Sequence, residues 1–268
     1  HLATLVKRMK TSRPGALLLD GGDTWQGSGT ALWTNGQDMV DACLALGVDV
    51  MTPHWEMTLG EERVKEIVEK DFKGKVSFLA QNIKTNDFGD QVFEPYVIRE
   101  MNGVKVAIIG QAFPYTPIAN PRYMVSNWTF GIQDENMQKV VNEARAKGAK
   151  VVVVLSHNGM DVDLKMASRV VGIDAILGGH THDGVPTPVQ VKNAAGITLV
   201  TNAGSNGNNG SNGHNGLSAY EIAQGLGFSG TESEWIASLI GTPGQDGAPG
   251  TNGQDGAPGT NGQDGAPG

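Results

Sequence analysis

The sequence predicts an α/β body followed by a non-globular tail, and three observations carry this. Over residues 1–207, short apolar runs of strand length alternate with stretches of helical spacing, the pattern of a sheet covered by helices. Polar, glycine-rich motifs stand directly behind several of these runs, where open α/β sheets place their ligands. From residue 241 to 268 every third residue is glycine, a repeat that cannot bury a core of its own.

The elements follow in order. Residues 2–8 read as the middle of a helix. Residues 16–19 are a short apolar run that ends in Asp20 and a glycine pair. Gln37–Leu46 has helical spacing at Met39, Val40, Cys43, Leu44 and Leu46. Residues 48–51 are strand-like. Residues 61–70 form a charged helix with Val64, Ile67 and Val68 on one face. Further strands are expected at 76–79, 104–109, 151–155, 175–177 and 197–200, and further helices at 135–147 and 162–171. Gly148 closes the first of those two helices. After residue 207 the character changes: 208–217 is a linker rich in Gly, Asn and Ser, 218–240 is a short helical segment, and 241–268 is the Gly-X-Y repeat.

Composition narrows the function classes. The formal charge is -8 over 268 residues, and the stretch from 208 onward, with six acids and no Lys or Arg, contributes -6 of it. The body is thus near neutral, and no basic patch points to nucleic acid. Cys43 is the only cysteine, so an intrachain disulfide is excluded. No apolar run is long enough to span a membrane. The chain begins at His1 within a helical pattern, so the expectation is of an N-terminus cut from something longer, with any targeting segment lost.

Four motifs carry chemistry: Gly21-Gly22-Asp23, His54-Trp55-Glu56, Ser156-His157-Asn158-Gly159 and Gly178-Gly179-His180-Thr181-His182-Asp183. Each has an ordinary alternative. Asp23 reads equally as a turn residue capping the next helix. His54 beside Trp55 reads as a packed core histidine. His157 stands at the mouth of a buried strand, and His180 and His182 sit in a polar loop. Together they are more telling. The chain has six histidines, and apart from His1 and the linker's His214 every one falls in these motifs. One carboxylate and four imidazoles at strand ends are the ligand set of a transition-metal hydrolase.

In this order the motifs resemble the calcineurin-type dinuclear metallophosphoesterase superfamily and its 5'-nucleotidase-like branch. The stretches Gly22-Asp23-Thr24-Trp25-Gln26-Gly27-Ser28, His54-Trp55-Glu56 and Ile109-Gly110-Gln111-Ala112-Phe113-Pro114-Tyr115 resemble the SoxB thiosulfohydrolase family of bacterial sulfur oxidation. The resemblance covers residues 1–207 and implies a metallophosphoesterase-like layered α/β sandwich, incomplete at both ends. It also implies two manganese ions that activate a water for attack on a cysteine S-thiosulfonate borne by the SoxYZ carrier protein, in the periplasm. Asp23 would bridge the ions. His54, His157 and His180 would complete one site, and His182 would belong to the other. That second site also needs an Asp-x-His motif that this sequence does not contain, so at most one tight ion and no turnover are expected of the chain as it stands. Nucleotidases carry Gly-Asn-His-Glu or Gly-Asn-His-Asp, with the amide as ligand and the histidine as catalytic acid. Here His54 stands for the amide and Trp55 for the acid.

A sulfur leaving group tolerates the loss of that acid better than an alkoxide does, because thiols are far more acidic than alcohols. Two other readings stand beside this one. The first is a 5'-nucleotidase-like phosphoesterase. The second is a structural or adhesion protein that trimerises through its collagen-like tail and displays a metal-binding head. The tail resembles bacterial and phage collagen-like repeats.

Overall fold

A computed structural model of the chain describes residues 2–202 and 204, together with 224, 229–231, 233 and 234. The chain divides into two units, His1–Asn209 and Gly210–Gly268, and every element below belongs to the first. The expected linker over 208–217 and the Gly-X-Y repeat over 241–268 lie outside the described residues, as does most of the helical segment expected over 218–240.

In chain order the elements are α1 (Leu2–Ser12), β1 (Leu19–Asp20), α2 (Gly29–Trp33), α3 (Gln37–Leu46), β2 (Val50–Met51), α4 (Glu61–Glu66), β3 (Ser77–Phe78), β4 (Lys84–Thr85), β5 (Tyr96–Met101) and β6 (Val104–Gln111). Then come α5 (Thr116–Ala119), β7 (Trp128–Thr129), α6 (Asp134–Ala146), β8 (Val151–Ser156), α7 (Met160–Arg169), β9 (Ala175–Gly178), β10 (Val189–Asn193) and β11 (Gly196–Asn202). Three of the strands, β1-β2-β3, form a small parallel sheet, and six form a larger one in the order β10-β11-β9-β8-β6-β5. In the larger sheet β6, β8, β9 and β11 run parallel, and antiparallel hairpins close both edges. The pair β4-β7 stands apart.

Three apolar clusters show how the layers stack. Val40, Cys43, Val64 and Ile67 of α3 and its successor helix pack on Met51 and Phe78 of the small sheet. Met137, Val141, Met166 and Ala167 of α6 and α7 pack on Ala107, Ile109, Val152 and Val154 of the large sheet. Between the sheets lie Val50, Leu79, Ile108 and Leu155. Strand neighbours point to opposite faces, so Ile108 and Leu155 face one layer while Ile109 and Val154 face the other. The result is a helix–sheet–sheet–helix sandwich. Gly110 sets the spacing between its sheets: a Cβ there would lie 2.1 Å from the Leu79 carbonyl oxygen.

The expected helices at 37–46, 135–147 and 162–171 correspond to α3, α6 and α7. The helix expected over 61–70 is α-helical only as far as Glu66 and continues as a wider π turn to Asp71. The run 16–19 supplies only β1, because its backbone approach to β2 is brief: Asp49 N and Val50 N donate to Leu18 O, and the Asp49 carboxylate accepts from Leu18 N. Strands β4, β5, β7 and β10 lie outside the expected strands. The signal for β5 is Asn102-Gly103, both at positive φ, the dipeptide of a tight hairpin.

Candidate metal centre

The loops behind β1, β2, β8 and β9 meet at the carboxyl ends of strands from both sheets. Behind β1 the chain turns sharply. Asp20 Oδ1 accepts from Gly22 N at 2.9 Å and from Thr24 Oγ1 at 2.8 Å. Gly22 has φ +91, and a Cβ there would sit 2.4 Å from Thr52 O, so only glycine lets this loop lie against the β2 loop. Asp23 follows in the left-handed region at φ 68. The next helix is capped by Ser28, whose hydroxyl accepts from Ala31 N at 3.0 Å. Asp23 is therefore not the cap, and its carboxylate faces the other loops.

His54 is 2% exposed, yet neither ring nitrogen has a hydrogen-bond partner. A core histidine held only for packing would have its nitrogens satisfied. Its ring stacks on His157 at 4.1 Å and meets His180 edge-on at 4.9 Å. Trp55 lies over its other side at 4.0 Å. Asp23 Oδ2 is 3.7 Å from His54 Nδ1. The His54 ring holds the Asp23 carboxyl below its ordinary range, against the opposing pull of burial.

His157 shows which nitrogen is free. Its Nδ1 lies 2.5 Å from Gly21 O. A carbonyl can only accept, so Nδ1 carries the proton and the lone pair is on Nε2. That Nε2 is buried and unpartnered. Burial, with His54 adding to it, pushes the His157 ring down to about 3, so it is neutral at physiological pH, as a metal ligand must be. Burial lowers His180 as well. His180 and His182 both adopt left-handed backbone, at φ 76 and 56. Such geometry costs on the order of 1 kcal/mol per residue and persists where surrounding structure imposes it.

Ligand atoms of His54, His157 and His180 all lie within 4.8 Å of one another. Nitrogens sharing one ion at about 2.1 Å stand no more than about 4.2 Å apart, so a small closing movement of the rings suffices. The orphaned nitrogens and the neutral tautomer fit a divalent transition metal, and Asp23 stands beside them. His182 is exposed and outside this triad, but it lines the same cleft of about 630 Å3 with Asp23, His157 and His180.

The sulfate thiohydrolase SoxB of Thermus thermophilus matches with a TM-score of 0.70 and 39% identity, over 76% of this chain and 37% of that one. A 5'-nucleotidase precursor, also from Thermus thermophilus, matches with a TM-score of 0.63 and 29% identity, over 75% and 42%. This chain has the fold of the 5'-nucleotidase-like metallophosphoesterases. The 5'-nucleotidase of Bos taurus is 28% identical over 188 residues, which are 68% of this chain and 32% of that protein. The chain thus spans about a third of the length of the curated relatives it matches. No protein-family profile matches it. Its relatives are hydrolases, and His54, His157 and His180 form a group that could hold a metal ion.

Several residues at this centre carry no role in the sequence reading. Phe113, two positions past β6, lies 4.5 Å from His54 and 4.2 Å from His180 and forms an apolar wall. Asp163 is fully buried in α7. Its Oδ1 accepts from Ser156 Oγ at 2.6 Å and Asn158 Nδ2 at 3.1 Å, gripping both neighbours of His157. Burial pushes its carboxyl up to about 7. Glu56 is also fully buried, and burial raises its carboxyl although three backbone N–H groups point at it. Glu56 stands in the His54-Trp55-Glu56 motif without a role of its own there, and Asp163 is only an acidic residue inside a helical stretch.

Proposed function

We propose that this chain carries a metal-holding part of a thiosulfohydrolase, which splits the S–S bond of a cysteine S-thiosulfonate on a carrier protein of the SoxYZ kind and releases sulfate. His54, His157 and His180, with Asp23, would hold one divalent ion, and Asp23 and His182 would face a second. Manganese is the metal the resemblance implies. Bound ions supply Lewis acidity and neutralise charge as it builds on attack. Asp23 and the histidines would orient the reacting centre in the cleft, and Phe113 and Trp55 pack against the His54 ring.

The observation that carries this reading is Trp55. Its indole stands against His54 at 4.0 Å, where a phosphoesterase of this fold would need a proton donor. The described residues lining the cleft include no Lys or Arg. With an indole in that place, a leaving group would depart with its charge. When water oxygen bonds to the sulfone sulfur and the bond to the neighbouring sulfur breaks, the persulfide that leaves is stable as an anion, unlike an alkoxide. Sulfate and two protons are the other products. Identity of 39% to a sulfate thiohydrolase supports the same reading. A periplasmic address belongs with it; among the described residues no helix is long and apolar enough to cross a membrane.

The competing phosphoesterase reading is favoured by the curated relatives, which are 5'-nucleotidases. One chimera decides between them. Residues 2–204 replace the aligned portion of the Thermus thermophilus SoxB, and with Mn2+ present, sulfate release from a thiosulfonated cysteine peptide is compared with phosphate release from AMP. Sulfate release should dominate, and Trp55→His should raise phosphate release. Faster hydrolysis of AMP by the unmodified chimera would reverse the assignment.

A further inference from the structure

Glu56 is 0% exposed, and the groups that hold its carboxylate come from two separate loops. Oε1 accepts from Thr24 N at 2.6 Å and Trp25 N at 3.3 Å, both in the loop behind β1. Oε2 accepts from His54 N at 2.6 Å, in the loop behind β2. Glu56 also lies in the first turn of the short 3-10 stretch Trp55–Leu59, and a residue that merely capped that turn would bind amides of its own segment. Two of its three donors instead lie some thirty positions earlier in the sequence, |i−j| being 32 and 31. Thr24 is the immediate neighbour of Asp23, and the third donor is the backbone of His54 itself.

We infer that Glu56 is a positioning residue that fixes the Asp23 loop and the His54 loop to each other, so that both side chains reach an ion as a pre-set pair. The inference rests on the metal-centre reading given above. A carboxylate does this because its two oxygens accept in different directions from one rigid group. Aspartate keeps the charge but is shorter by one carbon, about 1.5 Å, and cannot reach both loops. Glutamine keeps the reach but sets an amide N–H2 against a backbone N–H on one side. Each change therefore spares one feature of Glu56 and removes the span. The same preset geometry accounts for Asp23 being held at φ 68: its neighbour's amide is pinned 2.6 Å from the carboxylate.

The test compares the full chain with Glu56→Gln and Glu56→Asp in two measurements. The first is a titration with Co2+ as the probe ion, read from its visible absorption, which reports coordination geometry. The second is amide hydrogen exchange in metal-free protein at Thr24, Trp25 and His54, set against Val152 and Val154 in the β8 core. The expected result is a Co2+ dissociation constant at least tenfold higher in both variants, a changed visible spectrum, and exchange at least tenfold faster at the three loop amides with no change at Val152 and Val154. Wild-type Co2+ affinity in Glu56→Asp would overturn the inference, because charge alone would then be enough. Exchange accelerated equally throughout the molecule would also overturn it, making Glu56 a core residue only. Should the unmodified chain take up no Co2+, the metal-centre reading fails, while exchange at the three amides still decides whether Glu56 joins the loops.

Discussion

Replacing Asp163 by asparagine removes a titratable proton while keeping the shape of the side chain. In the fold this carboxyl is fully buried; Ser156 and Asn158 donate to Oδ1, and Oδ2 has no partner. Burial raises it from 3.8 to about 7. Between those values the folded protein holds the proton and the unfolded chain does not. The contribution of this group is therefore fully present below about pH 4 and is lost as pH rises through about 7. A rise of about three units corresponds to roughly 4 kcal/mol over the window, or about 1.4 kcal/mol per pH unit. His157 acts in the opposite sense, since its folded value of about 3 lies below the ordinary 6.5 and its stabilisation is lost on acidification. That effect is common to both proteins and cancels in the difference. The assay is urea unfolding of wild type and Asp163→Asn from pH 4 to 9 without metal. The variant should gain on the wild type steadily from about pH 4 to 7 and then run parallel to it. A difference independent of pH would refute the reasoning and show that Asp163 is ionised in the fold.

Other expectations are more direct. His157→Ala should weaken the tightest divalent site by more than about tenfold, or about 1.4 kcal/mol, while His182→Ala should change it much less; equilibrium dialysis with elemental analysis measures both, and two tight ions per chain would contradict the ligand inventory. In metal-free Asp163→Asn protein, where that carboxyl no longer works in the opposite sense, stability should fall below about pH 6.5, because the buried rings of His157 and His180 must take up protons on unfolding; urea midpoints at pH 5 and pH 8 in EDTA check the sign. Gly110→Ala should cost about 1–3 kcal/mol or more, because the new methyl meets the Leu79 carbonyl at 2.1 Å, and a thermal midpoint within a degree of wild type would show that the sheets have room to part.

Much of the large sheet is legible in the sequence because its central strands are buried on both faces. Val152 and Val154 meet α6 and α7 while Leu155 meets the other sheet, and the result is an unbroken apolar run. Helix α3 is legible to the residue for the opposite reason: one of its faces is apolar and the other wet. The division into two sheets is not legible, since β1, β2 and β3 pair over two residues each and periodicity does not say which sheet a strand joins. At the site, the histidines betray themselves by concentrating in four motifs. The roles of Glu56, although it sits in one of those motifs, and of Asp163 are not legible, because an acidic residue in a sequence looks solvated until the fold shows it enclosed. Phe113 is hidden in another way, as one apolar residue in a loop beside Pro114.

The candidate ligands come from both halves of the sandwich: Asp23 and His54 follow strands of the small sheet, and His157 and His180 follow strands of the large one. An ion shared among them would be a staple between layers that otherwise hold together through the apolar residues between them. Occupancy and folding would then be one equilibrium. Every tenfold excess of free ion over its dissociation constant would add about 1.4 kcal/mol to the folded state, and chelation would loosen the sandwich as a whole rather than empty a pocket in an unchanged scaffold. Metal supply in the surrounding compartment would set how long this protein lasts, quite apart from whether it works.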